Sequence, residues 1–438
     1  MTAATPAINE VKAETSIAER KALRSARIRG VVLAALGLFA IQLSFNTMEV
    51  AATFSFWISK QGGEALSIGT TVGVIWILTG TITAITGILQ LARGASFPWR
   101  RMLLVIVPFW VVAALAALLA GKTANMTGVL AGTLNLAAPI ALGAFAGIIS
   151  ERSGMANIAI EGKFLIGACA ASVAASVTML ILGPETTPVI GVLVGILAAM
   201  LAAMLVSLLL AWLGIRWKVD QIIAGIVINI GAVGITNFLF LRILSKQTEL
   251  NTPPTIENIK IPLLSDLPVL GPLLFSGSPY LYITLAVMVG FAYMLYRTRW
   301  GLRLRASGEK PSAAGTVGID VIKIRYRAML VAGLFAGLAG SSLSLASAGS
   351  FQMQMSAGRG FIALAAVIFG AWNPIYAFGA ALVFAFADNS QTLLSALGVD
   401  VPAQILNSVP YVVTIVVVAG VVGRVRGPAA AGQPYDQG

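Results

Sequence analysis

The sequence predicts an all-α polytopic membrane protein of about ten to twelve transmembrane helices, with probable inverted repeats and broken or re-entrant helices. Three observations carry that prediction. Of its 438 residues 58% are hydrophobic and 11% charged, with a mean hydropathy of +0.90, against roughly 45–50% apolar and about 25% charged in soluble domains. The apolar residues form runs long enough to cross a hydrocarbon core, which takes about 20 helical residues. The basic residues gather in short segments between those runs, where they resist translocation and fix the topology. That clustering accounts for the net charge of +12 without nucleic acid as a partner. Histidine is absent and Cys169 is the single cysteine, which excludes a histidine proton relay, a catalytic triad, a cysteine metal cluster and an intrachain disulfide.

Taken in order, residues 1–29 form a basic cytoplasmic tail ending in ERKALRSARIR. A long apolar run without a cleavage site follows, the pattern of a signal anchor rather than of a removed signal peptide. Runs near 30–50, 67–92 and 103–120 make residues 30–126 an extension of about three helices, with Arg93, Arg100 and Arg101 in an inside loop. Further spans are expected near 127–149, 156–182, 188–213 and 221–243, and the turns at Glu151–Gly154 and at Arg216 and Lys218 fall inside by parity. Residues 244–278 are rich in proline, with Lys246 and Lys260 balanced by Glu249, Glu257 and Asp266. Without a positive excess this loop belongs outside, as a contact for a delivered binding protein or as a plain connector. A span near 279–296 leads into a charged segment, 297–327, and another near 328–348 leads out of it. The run 360–388 is broken by Trp372, Asn373 and Pro374 and reads as two short helices. A last span, 407–423, leaves the tail 424–438 in the cytoplasm.

The charged segment holds Arg297, Arg299, Arg303, Arg305, Lys310, Lys323, Arg325 and Arg327 against Glu309 and Asp320. Its small, punctuated centre suggests a short helix between turns that docks on another surface; a merely topogenic loop is the alternative. The pattern of Gly308, Pro311, Ala313, Ala314, Gly318 and Ile319 resembles that of the ABC importer permeases of the branched-chain amino acid, ribose and nucleoside superfamily, with Lys310 in place of the usual asparagine. The resemblance implies that this loop sits in a groove of a cytoplasmic ATPase and carries its motion into the membrane.

A second informative stretch runs from Leu134 to Ala171. Glu161 and Lys163 lie in an apolar segment, where ionisable groups normally face a bundle interior or a water-filled cavity; a position at the membrane boundary supporting a re-entrant helix is the alternative. Asn157, one turn earlier, is expected on the face of Glu161. The wording of Ser150–Gly154, Asn157, Ile158, Glu161, Gly162, Leu165, Gly167 and Ala168 resembles the permeases that work with basic-membrane-protein lipoproteins, importers of nucleosides. Met355 and Gly358–Ala371 carry a second match, and Asn229 a third. Together these cover residues 127–423, the expected permease core. A weak echo between Asn157–Ala168 and Phe361–Ala371 fits inverted repeats meeting near the bilayer midplane.

The resemblance implies a permease subunit of an ATP-binding-cassette importer, most simply for nucleosides, working by alternating access in a bacterial cytoplasmic membrane with both termini inside. Candidate pathway residues are Asn157, Glu161, Asn229, Phe361 and Trp372, because amides can pair with base edges or ribose hydroxyls and aromatic rings can stack on a base. Candidate coupling residues are Gly308, Pro311, Ala313, Ala314 and Gly318. No phosphate-loop motif occurs in the chain, so ATP and magnesium are expected on the partner ATPase and no cofactor or metal here. The other expected partners are a second permease, related or identical, an extracytoplasmic substrate-binding lipoprotein and lipid. An importer for a simple sugar stays open. So does an ion-coupled transporter using Glu161 or Asp388; a membrane enzyme lacks a nucleophile and base.

Overall fold

A computed structural model describes residues 5–57, 65–183, 187–399, 408 and 426–435. Two compact units result, one built on Met1–Met126 with Leu394–Asp400 and the other on Thr127–Leu393 with Val401–Gly438.

In the first unit, α1 (Thr5–Phe45) is a single helix. The basic tail and the first apolar run are therefore one element rather than a tail followed by a span. Two strands follow, β1 (Ala51–Trp57) and β2 (Ala65–Thr71), paired antiparallel from Ala51 with Thr71 to Trp57 with Ala65. The helices α2 (Val72–Arg93) and α3 (Trp99–Leu118) come next, and β3 (Thr123–Asn125) joins β1 in parallel. This small sheet is a minor addition to a chain that is otherwise helical, as expected. Its residues alternate in small and large side chains and are rich in threonine and aromatics, which suits a pleated surface better than a helix.

Helix α1 lies unusually close to α2, and glycine spacing explains why. Gly30 and Gly37 on α1 and Gly73, Gly80 and Gly87 on α2 each recur every seven residues, which keeps them on one helical face. A Cβ on Gly87 would stand 2.4 Å from the Ala34 nitrogen, and one on Gly37 would stand 2.4 Å from that of Ala84. Small-residue seams of this kind hold helices together in lipid, where there is no hydrophobic drive between them. Also on α2, Thr83 accepts a hydrogen bond from the Trp110 indole of α3 at 3.1 Å.

The second unit contains α4 (Met126–Arg152), α5 (Ile160–Leu182), α6 (Pro188–Arg216), α7 (Gln221–Leu239) with a π-helical turn to Leu244, the short α8 (Leu270–Leu274) and α9 (Pro279–Arg297). Then come α10 (Arg299–Glu309), α11 (Pro311–Thr316), α12 (Val321–Ser342) with a π-helical turn to Ala348, α13 (Arg359–Phe369) and α14 (Pro374–Ala396). Helix α4 is the core: from Ala137 to Ser150 every residue is buried. Phe145 on it meets Phe291 and Phe335 at ring separations of 5.9 and 6.4 Å. Helix α12 approaches α6 through Gly333 and Gly337, whose positions leave no room for a side chain against Met204 and Ala199.

Among the described residues nine helices are long and apolar enough to cross a membrane. The break at Trp372–Pro374 is present, but it separates unequal helices: α13 has 11 residues and α14 has 23. At a rise of about 1.5 Å per residue α13 is about 16 Å long, half the roughly 30 Å of a hydrocarbon core. The expected span 407–423 lies outside the described residues, apart from Ser408.

Replacing Gly87 by valine is expected to force α1 from α2 and lower stability by about 1–3 kcal/mol, as overpacking does. Thermal unfolding of the purified chain in detergent measures this; an unchanged transition would mean that the seam is dispensable.

Candidate functional site

The site is a junction between two interrupted helices. Helix α4 ends at Arg152 because Gly154 takes a positive φ of 94°, a conformation open to glycine at little strain. The chain then runs extended through Met155–Asn157 before α5 begins. The cap residue of α5, Ala159, offers no side-chain hydrogen bond. Asn229 on α7 supplies it: its Oδ1 accepts from the Gly162 N–H at 2.8 Å and its Nδ2 donates to the Ile158 carbonyl at 2.9 Å. One amide thus satisfies both a donor and an acceptor that the break would leave bare.

Helix α13 starts with the same deficiency. Its cap, Gly358, has φ 79° and no side chain. Glu161 on α5 fills the gap: Oε1 accepts from the Ser356 hydroxyl at 2.6 Å and from the Gly358 N–H at 2.9 Å, while Oε2 accepts from the Gly360 N–H at 2.7 Å. The carboxylate lies in the first turn of α5 and at the start of α13, so it opposes the partial positive charge of two helix ends. A Cβ on Gly360 would stand 2.5 Å from the Glu161 Cα, so the helices meet this closely only with glycine there. Beside it, Arg359 pairs with Asp388 of α14 at 2.9 Å.

Three of the five expected pathway residues therefore come together, Asn157, Glu161 and Asn229. Asn157 is not on the face of Glu161, since it precedes α5; its Oδ1 accepts from the Lys163 ammonium at 2.6 Å. Lys163 is fully buried and bonds Asn157 rather than Glu161, an arrangement that spacing alone did not reveal. Phe361, on the same end of α13, is 50% exposed. Trp372 belongs elsewhere. At the far end of α13 its indole donates to Glu151 at 2.6 Å, and Arg152 donates to its carbonyl at 3.4 Å. These bonds hold a turn in which Ala371 and Trp372 both have positive φ, 50° and 55°.

A second cluster surrounds that turn. Pro311 starts α11, and Lys310 before it is extended, as the residue preceding proline must be. Of the expected coupling residues, Gly308 and Ala314 face inward. A Cβ on Gly308 would stand 2.3 Å from the Arg152 carbonyl, and Ala314 is 4% exposed. Pro311 is half-buried and Ala313 and Gly318 are exposed, Gly318 with a φ of 80° and open space around it. The neighbouring Val317, which the sequence pattern did not single out, is 74% exposed. Residues 426–435 cross this face as a strap. Ala430 donates to the Gly308 carbonyl at 2.8 Å and Gly432 to that of Gly154 at 3.2 Å, while Gln433 accepts from the buried Arg325 at 3.0 Å.

Comparison with known proteins adds a family pattern. A family model described as branched-chain amino acid transport system / permease component matches residues 129–421. The guanosine ABC transporter permease protein NupQ of Bacillus subtilis is 40% identical over 310 residues, 70% of this chain and 95% of that protein. The nucleoside ABC transporter permease protein NupC of Lactococcus lactis is 35% identical over 316 residues, 70% of this chain and 96% of that one. The glucose ABC transporter permease protein TsgB13 of Haloferax volcanii is 25% identical over 57% of this chain and 65% of its own length. No solved structure matches.

Glu161→Gln turns one acceptor into a donor facing another donor. A loss of about 1.5–3 kcal/mol per charge-assisted hydrogen bond is expected, read as a lower unfolding temperature of the purified chain. Gly360→Ala is expected to act in the same direction. Wild-type stability in both variants would show that the junction does not depend on this carboxylate.

Proposed function

The chain belongs to the family of permease components of branched-chain amino acid transport systems, and from that premise we propose that it forms the membrane pathway of an ATP-binding-cassette importer for nucleosides. The observation that carries the substrate is the 40% identity to a guanosine permease across 95% of that protein. A sugar is the second reading, supported by the lower identity to a glucose permease.

Under this proposal the junction of α5 and α13 is the part of the pathway that changes shape. Helix starts held by side chains from other helices shift more easily than the middle of a continuous helix, and alternating access requires two arrangements with different affinity for the ligand. Glu161 and Asn229 act as positioning groups, since their polar atoms are engaged by backbone. Phe361 offers an exposed ring for stacking on a base. The buried acids that suit an ion-coupled transporter have internal partners, Ser356 and two backbone amides for Glu161 and Arg359 for Asp388.

ATP hydrolysis is assigned to a cytoplasmic partner, because the chain lacks a phosphate-loop motif. ATP and magnesium would bind there. A second permease completes the pore, and a substrate-binding lipoprotein delivers ligand on the opposite side. The α10–α11 segment, the Trp372 turn, the Glu151–Gly154 turn and residues 426–435 gather on one face, and their basic residues support a cytoplasmic side for it. Ala313, Val317 and Gly318 form a small, uncharged docking surface on it for the ATPase.

In cells with this chain as their only nucleoside importer, uptake of labelled guanosine is expected to stop on ATP depletion and to survive an ionophore. The reverse pattern would favour ion coupling. Ala313→Arg combined with Val317→Arg changes exposed positions, so the protein is expected to insert normally while uptake and co-purification of the ATPase are lost. Full uptake by that variant would remove α11 from the coupling path.

A further inference from the structure

At the end of α9 remote from α10 lies a cavity of about 230 Å³. Helix α9 has 19 residues, so the cavity is about 28 Å from the basic segment. It opens beside Asn258, in the loop expected to face the delivered ligand.

Two helix defects line it. Pro139 lies inside α4, and because proline has no N–H the carbonyl of Asn135 lacks its α-helical donor. The π-helical turn Leu343–Ala348 ends α12 at the same cavity; such turns recur at functional sites. Side chains add to the supply. Asn135 Oδ1 accepts from the Ser278 N–H at 3.2 Å, which leaves its Nδ2 to donate into the cavity. Ser342 gives its proton to the Ala339 carbonyl at 2.7 Å and keeps its oxygen lone pairs. Asn258 and Ser347 complete a mixed set of donors and acceptors.

Among the described residues no charged side chain lines the cavity. A zwitterionic amino acid would leave its charges unpaired there, at high cost. Hydroxyl groups, each both donor and acceptor, match the set. The volume is below the about 300–1,000 Å³ of pockets that enclose a drug-sized ligand, and it suits a single ring.

We propose that this cavity receives the sugar ring of the transported molecule, with Asn135 and Ser342 bonding its hydroxyls. The inference rests on the nucleoside reading and adds to it the place and the group recognised.

The test uses the complete importer in proteoliposomes and compares uptake of guanosine, 2′-deoxyguanosine and 2′,3′-dideoxyguanosine by the wild type, Asn135→Ala and Ser342→Ala. Ser342→Ala removes a hydroxyl whose protein bond is local, so it guards against a folding defect in Asn135→Ala. In the wild type KM is expected to rise as hydroxyls are removed. In each variant KM for guanosine is expected to rise about tenfold, one hydrogen bond's worth, and the difference between guanosine and its deoxy analogues is expected to shrink. Variants that keep the wild-type hydroxyl dependence overturn the proposal. If the wild type carries glucose and no nucleoside, the nucleoside reading fails while the cavity faces the same comparison with deoxyglucoses: lost discrimination in the variants supports it, and retained discrimination overturns it.

Discussion

A helix start without a capping side chain leaves backbone donors bare, and this chain has two such starts facing each other, those of α5 and α13. The Glu161 carboxylate takes two of the resulting donors at the α13 end, together with the Ser356 hydroxyl, and Asn229 takes one from α5. The rest of the second unit depends on that settlement. Gly360 has to be a glycine so that the carboxylate can reach, Arg359 needs Asp388 because it stands at the positive end of a helix, and α7 has to pass where its amide meets the break. The charged residues that look out of place in an apolar sequence answer a demand of the backbone.

Much of the architecture was legible because it follows from local chemistry. The apolar runs mark the membrane helices, Pro374 and the residues before it mark the break ahead of α14, and Glu161 and Asn229 stood out as polar groups where polarity is expensive. What each of them does was not legible. Glu161 finds its donors 195 or more residues away along the chain, and no periodicity reports such a partner. Trp372 looked like a pathway aromatic, yet its indole is used by Glu151. The strands β1 and β2 were missed because short alternating runs next to long helical ones read as helix ends. The glycines spaced by seven in α1 and α2 were a readable signal of close helix packing that hydropathy alone passes over.

The two polar clusters of the second unit are linked by a rigid path. Helix α13 has Glu161 at one end and the Trp372 turn, held by Glu151 and Arg152, at the other; Arg152 also pairs with Glu309 at the end of α10. A displacement of α10 and α11 therefore has a mechanical route of one short helix to the junction. Helix α13 has only three turns and is held by hydrogen bonds at both ends.

The strap formed by residues 426–435 bears on how the protein is made. It contributes hydrogen bonds to Gly308, Gly154 and Arg325, yet it follows the nine membrane helices found among the described residues and so leaves the ribosome after them. Until it arrives, the Gly308 and Gly154 carbonyls lack these donors and Arg325 lacks this acceptor. That face of the second unit is thus finished last.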